Sequence, residues 1–216
     1  MIIDKGDHRF IHPWGVPIFH STLTVDELKF FQDQAETARR AKVSEERSLA
    51  GNIKEQYIGV KGRYRDQRIV DILSPHIINY IKYELSRLSD LNSFVKPKYR
   101  KPVQSLDSIR FDLGGPWFNF MKKGEFNPLH AHNGAISGIL MIKVPEEIDN
   151  EDELYSIDTN LRCPGYVEWV CNDGSHQVRP KEGDIYLFDA RLRHLVYPFQ
   201  SDVERITSSF NVFTNA

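Results

Sequence analysis

The sequence predicts an α+β protein that is mainly β, with helices of the N-terminal half packed on a sandwich or barrel of strands. Apolar residues recur at helical spacing in two stretches before residue 90. From about residue 103 the pattern changes to the alternation that half-buried strands show. No internal repeat or linker divides the 216 residues, so we expect a single domain over 1–216, with 1–104 as a helical support and 105–216 as the β core.

The first helix is predicted from a start signal and an apolar face. Thr24 is followed three residues later by Glu27, which is the spacing of a capping box. Apolar residues then continue at intervals of three and four, as one face of a helix requires. These residues are Leu28, Phe31, Ala35 and Ala38. The pattern therefore predicts a helix that begins after Thr24 and buries one face.

A second helical stretch is predicted from about residue 66 to residue 88, again from apolar spacing. Pro75 interrupts it and removes a backbone donor, so the pattern is compatible with two helices or with one kinked helix. The segment 47–65 between the helical stretches is polar and contains glycine, which indicates a loop or a mobile flap. We expect this segment and the insert 146–164 to border the mouth of the site.

Short alternating or apolar segments follow one another through the C-terminal half. They are 108–113, 117–121, 135–144, 166–170, 184–188, 194–199 and 206–213. Six or seven short strands at fairly regular intervals favour a sandwich or a barrel. The acidic segment 146–153 between two of them is interpreted as a surface loop.

The composition excludes several classes of protein. Apolar residues make up 40% of the chain and the formal net charge is −2, which excludes a disordered chain and argues against a nucleic-acid binder that works by bulk charge. No apolar run approaches the roughly 20 residues of a membrane-spanning helix, and the first ten residues lack a signal-type apolar stretch. A cytoplasmic location is therefore expected. Cys163 and Cys171 are interpreted as ordinary thiols.

A group of histidines is the first feature that points to chemistry. His130 and His132 are separated by one residue, so their side chains project from the same face if the segment is a strand. His194 follows 64 residues after His130, at the start of another predicted strand. Each of these residues is also compatible with an ordinary surface or core histidine. Three imidazoles from two strands would form a three-ligand metal site with positions left open for substrate and oxygen.

Arg205 opens a strand whose polar residues share one face. Alternation places Arg205, Thr207, Ser209 and Asn211 on the same side of the strand. An unpaired charge on an inward face is costly, whereas a guanidinium that grips a carboxylate is stable there. The pattern is compatible with an inward carboxylate-binding arginine or with an outward arginine in a surface ion pair.

Six segments of the C-terminal half share their order and spacing with a known superfamily. They are 117–119, 124–132, 136–140, 183–188, 194–199 and 205–211. Together they resemble the Fe(II)- and 2-oxoglutarate-dependent oxygenases, and within that superfamily a bacterial and phage group. The resemblance covers about residues 105–213, half of the chain.

The resemblance implies a fold, a set of cofactors and a set of roles. The implied fold is a double-stranded β-helix (jelly-roll, cupin-like) core, and the implied cofactors are Fe(II), 2-oxoglutarate as cosubstrate, and O2. His130 and His194 are implied as metal ligands, and Arg205 as the cation that holds the distal carboxylate of 2-oxoglutarate. The residues implied to line the cosubstrate pocket are Asn119, Ser137, Thr207 and Asn211.

The sequence departs from the superfamily pattern at one position. Most members have Asp or Glu two residues after the first histidine, where this chain has His132. His132 is either the third ligand of a neutral three-imidazole site, or it points away and leaves a place for water or an anion. In a third alternative the register shifts, so that His132 is the first ligand and Gly134 stands at the carboxylate position. We prefer the three-histidine site, and Asp189 is expected to be either a partner that orients an imidazole or a turn residue.

The resemblance also implies an activity and a class of partner. We expect hydroxylation of an unactivated C–H bond of a small-molecule or peptide substrate, with release of succinate and CO2. Neither a nucleic acid nor a membrane is expected as a partner, and the pattern permits a homodimer through the helices without requiring one. Two rival interpretations stay open: a cupin-like metal dioxygenase that does not use 2-oxoglutarate, and a non-catalytic jelly-roll binding protein.

Overall fold

The structure is a computed structural model that describes residues 2–4, 7–13, 15–44, 51–59, 66–87, 110–153 and 163–215. The strands are β1 (Ile2–Asp4), β2 (His8–Ile11), β3 (Ile18–Thr22), β4 (Gln56–Ile58), β5 (Arg110–Met121), β6 (Asn127–His130), β7 (Ile136–Lys143), β8 (Val167–Cys171), β9 (Gly174–Val178), β10 (Asp184–Asp189), β11 (Arg193–Val196) and β12 (Arg205–Asn215). The helices are α1 (Val25–Ala41), α2 (Gln67–Arg87) and α3 (Glu146–Asp149), with a 3-10 helix at Asn150–Glu153.

The strands form two antiparallel sheets. The large sheet has eight strands in the order β1-β2-β3-β10-β7-β12-β5-β4, and the small sheet has four in the order β6-β11-β8-β9. Buried side chains of the two sheets meet between them, among them Met141 and Phe188 of the large sheet and Val167 and Trp169 of the small sheet. This two-sheet core confirms the predicted mainly β fold class and its jelly-roll form.

Helices α1 and α2 cover the outer face of the large sheet. The capping box that begins α1 is present, because the Thr24 hydroxyl accepts from the Glu27 amide while the Glu27 carboxylate accepts from the Thr24 amide. Phe31 of α1 is fully buried in the same apolar cluster as Leu140 of β7. Helix α2 continues through Pro75 as one helix, so the alternative of two separate helices is wrong.

Four strands that the sequence pattern did not predict come from the N-terminal half. β3 pairs with β10 in a register that places Ile185 opposite Ser21, and β2 and β1 extend the sheet outward from β3. β4 lies inside the segment that was expected to be a loop, and it pairs with β5 so that Gln56 faces Asn119. Two parts of that expected loop, 47–50 and 60–65, lie outside the described residues.

The acidic segment at residue 146 is a correction to the sequence analysis. It folds as α3 followed by the 3-10 helix, not as a surface loop, and Glu151 is fully buried. The Glu151 carboxylate accepts hydrogen bonds from the amides of Gln200 and Ser201 and from the Ser201 hydroxyl. A carboxylate with this many donors is stable when buried, which explains why an acidic residue lies in the core. The rest of the expected insert, 154–162, lies outside the described residues.

β12 lies inside the large sheet, paired with β7 on one side and β5 on the other. Its alternation is regular, and the register shifts of both pairings are taken up by its neighbours. Ser209 and Asn211 of β12 face Trp117 and Gly114 of β5, so β5 holds one extra residue there. The regular strand therefore keeps the predicted face, with Arg205, Thr207, Ser209 and Asn211 on one side.

Two smaller expectations concern the thiols and the membrane. Neither Cys163 nor Cys171 forms a disulfide within the described part of the chain, which agrees with their interpretation as ordinary thiols. Among the described residues, no helix combines the length and the apolar character that crossing a bilayer requires.

Candidate active site

A cavity of about 660 Å³ opens between the large and the small sheet. Both sheets contribute to its walls, together with residues 51–58 that precede and include β4. Among the described residues that line it, four side chains are ionisable: His130, His132, His194 and Arg205. The three histidines and the arginine to which the sequence analysis gave roles therefore open into one cavity.

The three imidazoles converge at one end of the small sheet. His130 is the last residue of β6 and pairs in register with His194 of β11, so two neighbouring strands place these rings side by side. His132 lies two residues beyond the end of β6, and its amide donates to the carbonyl of Ala190. The nitrogen atoms that could bind a metal lie within 4.8 Å of one another. Only His130 lies on the strand, so the two histidines do not share one strand face, the condition considered in the sequence analysis.

Backbone hydrogen bonds fix the orientation of two of the rings. Nδ1 of His130 lies 2.7 Å from the carbonyl oxygen of Pro128, and Nδ1 of His194 lies 3.1 Å from that of Leu192. A carbonyl only accepts hydrogen bonds, so each Nδ1 is the protonated nitrogen of its ring and Nε2 keeps its lone pair. This is the arrangement in which a histidine is held ready to bind a metal through Nε2.

All three imidazoles are held in the neutral form. Burial lowers the pKa of His194 to about 3 and that of His132 to about 4, and proximity to the His130 ring adds to both shifts. Burial also lowers the pKa of His130. A neutral imidazole needs no proton removed before it binds a cation, so the group is ready for a divalent metal at neutral pH.

The position of His132 bears on the alternatives left open by the sequence. Its ring centroid lies 4.8 Å from that of His130 and 5.1 Å from that of His194, so the ring faces the other two. Gly134 has no side chain to bind a metal, and a Cβ there would lie 2.9 Å from the carbonyl oxygen of Val212. The donor set therefore fits a divalent transition metal held by three nitrogens, which is a set that iron accepts.

Arg205 is a buried cation without a carboxylate partner among the described residues. Its side chain is 2% exposed, and Nη1 donates to the carbonyl oxygen of Gly165 at 2.5 Å, whereas Nε has no partner in the part of the chain that the structure describes. Burial lowers its pKa to about 10, which leaves the guanidinium charged at neutral pH. A buried unpaired charge is costly, so the site fits an anion that enters the cavity and pairs with it.

A network of neutral polar groups lies beside Arg205 on the cavity wall. The Asn119 amide donates to the hydroxyl oxygens of Thr207 and Ser209, and its carbonyl accepts from the Gln56 amide at 2.8 Å. Ser137 donates its hydroxyl to the carbonyl oxygen of Asn211 at 2.8 Å. All four residues expected to line the cosubstrate pocket, Asn119, Ser137, Thr207 and Asn211, therefore open into the cavity.

Several residues of the site were not identified from the sequence. Gln56 belongs to a strand that was not predicted, and Gly165 acts through its backbone carbonyl, so neither leaves a signal in the pattern. Trp117 and Phe213 line the cavity at the ends of predicted strands, where aromatic residues are common for packing reasons alone. Asp189 accepts from the backbone amide and the guanidinium of Arg191, which is the turn alternative.

The comparisons with known proteins agree with this geometry. Residues 115–211 match the family described as "Putative 2OG-Fe(II) oxygenase", a stretch that contains the three histidines and Arg205. The resemblance stated from the sequence is thereby confirmed. No curated protein matches the chain by sequence.

Solved structures share the fold over almost the whole chain at low identity. A prolyl-4-hydroxylase from Pseudomonas putida matches with a TM-score of 0.55 and 13% identity, over 92% of this chain and 93% of that one. A viral collagen prolyl hydroxylase from Paramecium Bursaria Chlorella virus-1, in complex with 2OG, matches with a TM-score of 0.55 and 12% identity over 92% and 96%. A prolyl hydroxylase from Trichoplax adhaerens matches with a TM-score of 0.55 and 14% identity over 94% and 84%. These likenesses show the jelly-roll fold.

Proposed function

We propose that this protein is an oxygenase of the 2OG-Fe(II) superfamily, which uses Fe(II), 2-oxoglutarate and O2 to hydroxylate an unactivated C–H bond of a small-molecule or peptide substrate. Succinate and CO2 are the products formed from the cosubstrate. The observation that carries the proposal is that one cavity holds three neutral imidazoles and a buried guanidinium, which has no carboxylate partner among the described residues.

His130, His132 and His194 would hold the metal through their unprotonated nitrogens. The Nδ1 hydrogen bonds to Pro128 and Leu192 keep two of the rings from rotating, so their lone pairs stay directed toward a common point. A set of three neutral ligands leaves more positive charge on the metal than two imidazoles and one carboxylate. That excess charge would favour a dianionic cosubstrate.

Arg205 would hold the far carboxylate of 2-oxoglutarate. The Gly165 carbonyl accepts a hydrogen bond from Nη1 and so orients the guanidinium before the carboxylate binds. Binding therefore costs less side-chain conformational entropy. Thr207 and Asn119 lie on the same wall and would complete the polar lining. When bound, Fe(II), 2-oxoglutarate and O2 supply an oxidative decarboxylation that leaves one oxygen atom for insertion into the substrate.

An anaerobic titration tests the proposal. Adding 2-oxoglutarate to the Fe(II)-loaded protein without oxygen is expected to produce a visible charge-transfer band that saturates with one equivalent of cosubstrate. Arg205→Met should require far more 2-oxoglutarate for the same band, while it keeps the metal. A wild-type protein that binds Fe(II) but develops no band would contradict the proposal in favour of a dioxygenase without 2-oxoglutarate. A protein that binds no Fe(II) would favour the non-catalytic binding protein.

A further inference from the structure

The side chains along the inward face of β12 change in character from one end to the other. The inner end holds the buried cation Arg205, followed by the hydroxyl of Thr207 and the amide of Asn211. The outer end holds Phe213, which lines the cavity and is 42% exposed. The inner end has a role in the proposed function, whereas the large exposed aromatic ring at the outer end has none.

Phe213 and Trp117 both lie against glycine backbone at the cavity wall. A Cβ on Gly114 would lie 2.6 Å from Cε2 of Phe213, and a Cβ on Gly115 would lie 3.0 Å from Cε3 of Trp117. Any larger residue at Gly114 would therefore displace the Phe213 ring. The ring of Trp117 also lies 5.9 Å from that of His132, which places an aromatic face next to the histidine cluster. The absence of side chains at two successive positions keeps both rings on the wall.

Among the described residues that line the cavity, no charged side chain is left to pair with a charged substrate. Among the described residues, the ionisable groups of the lining are the three histidines and Arg205, and it contains neither an acidic side chain nor a lysine. All four ionisable groups are assigned to the metal and the cosubstrate. A charged substrate group that entered beside them would lose its hydration without gaining a partner of opposite charge.

We propose that Trp117 and Phe213 are specificity-determining residues that contact the substrate and select an uncharged group with a flat or ring-shaped apolar face. This inference rests on the proposed function, because it takes the substrate to react beside the histidine cluster. Aromatic rings bind such groups by burying apolar area and by stacking, and each contact raises the affinity by a modest factor. The two rings together with an uncharged lining would admit such a side chain and reject its charged counterparts.

The test uses N-acetylated amino-acid amides as probes of one size class and different charge. The phenylalanine and proline derivatives supply uncharged rings, the lysine derivative a cation and the glutamate derivative an anion. Each probe is titrated into the anaerobic protein loaded with Fe(II) and 2-oxoglutarate, and binding beside the metal is measured as a change in the charge-transfer band. We expect the ring-bearing probes to bind at least tenfold more tightly than the charged ones.

Trp117→Ala and Phe213→Ala are the variants that test the two rings. Each is expected to weaken binding of the ring-bearing probes by roughly two- to tenfold, the size of one aromatic contact. Phe126→Ala is the matched control, since Phe126 is 36% exposed and does not line the cavity. Metal content and the band before probe addition should be the same in all three variants, which shows that the fold and the metal site are intact.

Each result bears on the inference separately from the proposed function. Failure of the band to form in the wild-type protein overturns the proposed function itself. With the band present, equal or tighter binding of a charged probe overturns the inference. Unchanged probe binding in a Trp117→Ala, Phe213→Ala double variant also overturns it, as does the failure of every ring-bearing probe at its solubility limit.

Discussion

The histidine cluster and Arg205 line the same cavity but differ in charge and in hydrogen bonding. The histidine cluster, His130, His132 and His194, is neutral, and its fixed rings are satisfied by backbone carbonyls. Arg205 is charged and only 2% exposed, and its Nε has no hydrogen-bond partner among the described residues. The histidine cluster therefore needs no ligand to offset an unpaired charge, whereas burial of the Arg205 guanidinium is offset only when an anion binds to it. Substitutions in the cluster and at Arg205 should therefore differ in how they change ligand affinity and the free energy of unfolding.

The largest expected effect comes from removing the buried charge. Arg205→Met should weaken 2-oxoglutarate binding by on the order of 100-fold or more, because the far carboxylate would be buried without a partner. The same change should leave the free energy of unfolding of the metal-free protein unchanged or raise it, because an unpaired buried charge is removed. Band titration and urea denaturation measure the two quantities. Arg193→Met, on exposed Arg193 of β11, is the control, and a large loss of stability in Arg205→Met would show that the charge is already satisfied.

The second effect concerns the third imidazole. His132→Ala should lower the affinity for Fe(II) at least tenfold, because a ligand is lost, whereas His132→Asp should retain the metal in a two-histidine, one-carboxylate site. The Asp variant should also bind 2-oxoglutarate more weakly than the wild type, since the metal then carries less positive charge. Iron content after dialysis and the band titration measure these changes. Unchanged iron affinity in His132→Ala would remove this residue from the ligand set.

A third effect is the dependence of stability on pH in the metal-free protein. His132 and His194 have folded-state pKa values of about 4 and about 3, below the ordinary 6.5 of the unfolded chain. Their contribution to stability is therefore fully present above pH 6.5 and is lost as the pH falls toward 4, because the unfolded state binds protons first. Between pH 7 and pH 5 each imidazole should cost roughly 2 kcal/mol of unfolding free energy. His132→Ala should lose less unfolding free energy between pH 7 and pH 5 than the wild type, as measured by urea denaturation at the two pH values. Equal losses in the variant and the wild type would show that the His132 ring is not held neutral.

The smallest effect tests the orientation of the guanidinium. Gly165 has a φ of +66°, and a Cβ there would lie 3.0 Å from Cγ2 of Ile148 and 3.6 Å from Nη1 of Arg205. Gly165→Ala should cost about 1–2 kcal/mol of stability from backbone strain and should weaken 2-oxoglutarate binding by roughly two- to tenfold, as expected when one weak contact is disturbed. Gly124→Ala is the matched control, because Gly124 has a φ of +73° and no neighbour within 4 Å. If both variants lose the same 2-oxoglutarate affinity, the carbonyl of Gly165 does not position the guanidinium.

The sequence predicts those parts of the molecule whose pattern is local. The capping box of α1, the long helix α2 and the alternation of β12 each depend on residues close together in the sequence, and the structure confirms each of them. Strands β1 to β4 are missed because a short strand gains its identity from a distant partner, as β3 does from β10. The burial of Glu151 is missed for the same reason, since its donors lie about fifty residues later in the chain.

The candidate site divides in the same way. The three histidines and Arg205 could be identified because metal and carboxylate ligands come from few residue types and the order of segments resembles a known superfamily. Gln56 and Gly165 could not, because an amide on an unpredicted strand and a backbone carbonyl carry no chemical signature in a sequence. Whether His132 faces the other rings depends on how the chain turns after β6, which residue types alone do not determine.

The regularity of β12 has a consequence for how this protein could be altered. Both neighbouring strands take up an extra residue, while β12 itself keeps an unbroken alternation from Arg205 to Phe213. The position of a residue along this strand therefore determines which face its side chain occupies. Deleting one residue from its middle would turn every inward side chain beyond the deletion to the opposite face, whereas exchanging a single inward side chain leaves the rest in place. New selectivity should therefore be sought by point exchanges at the open end of this strand, and length variation should be confined to the strands beside it.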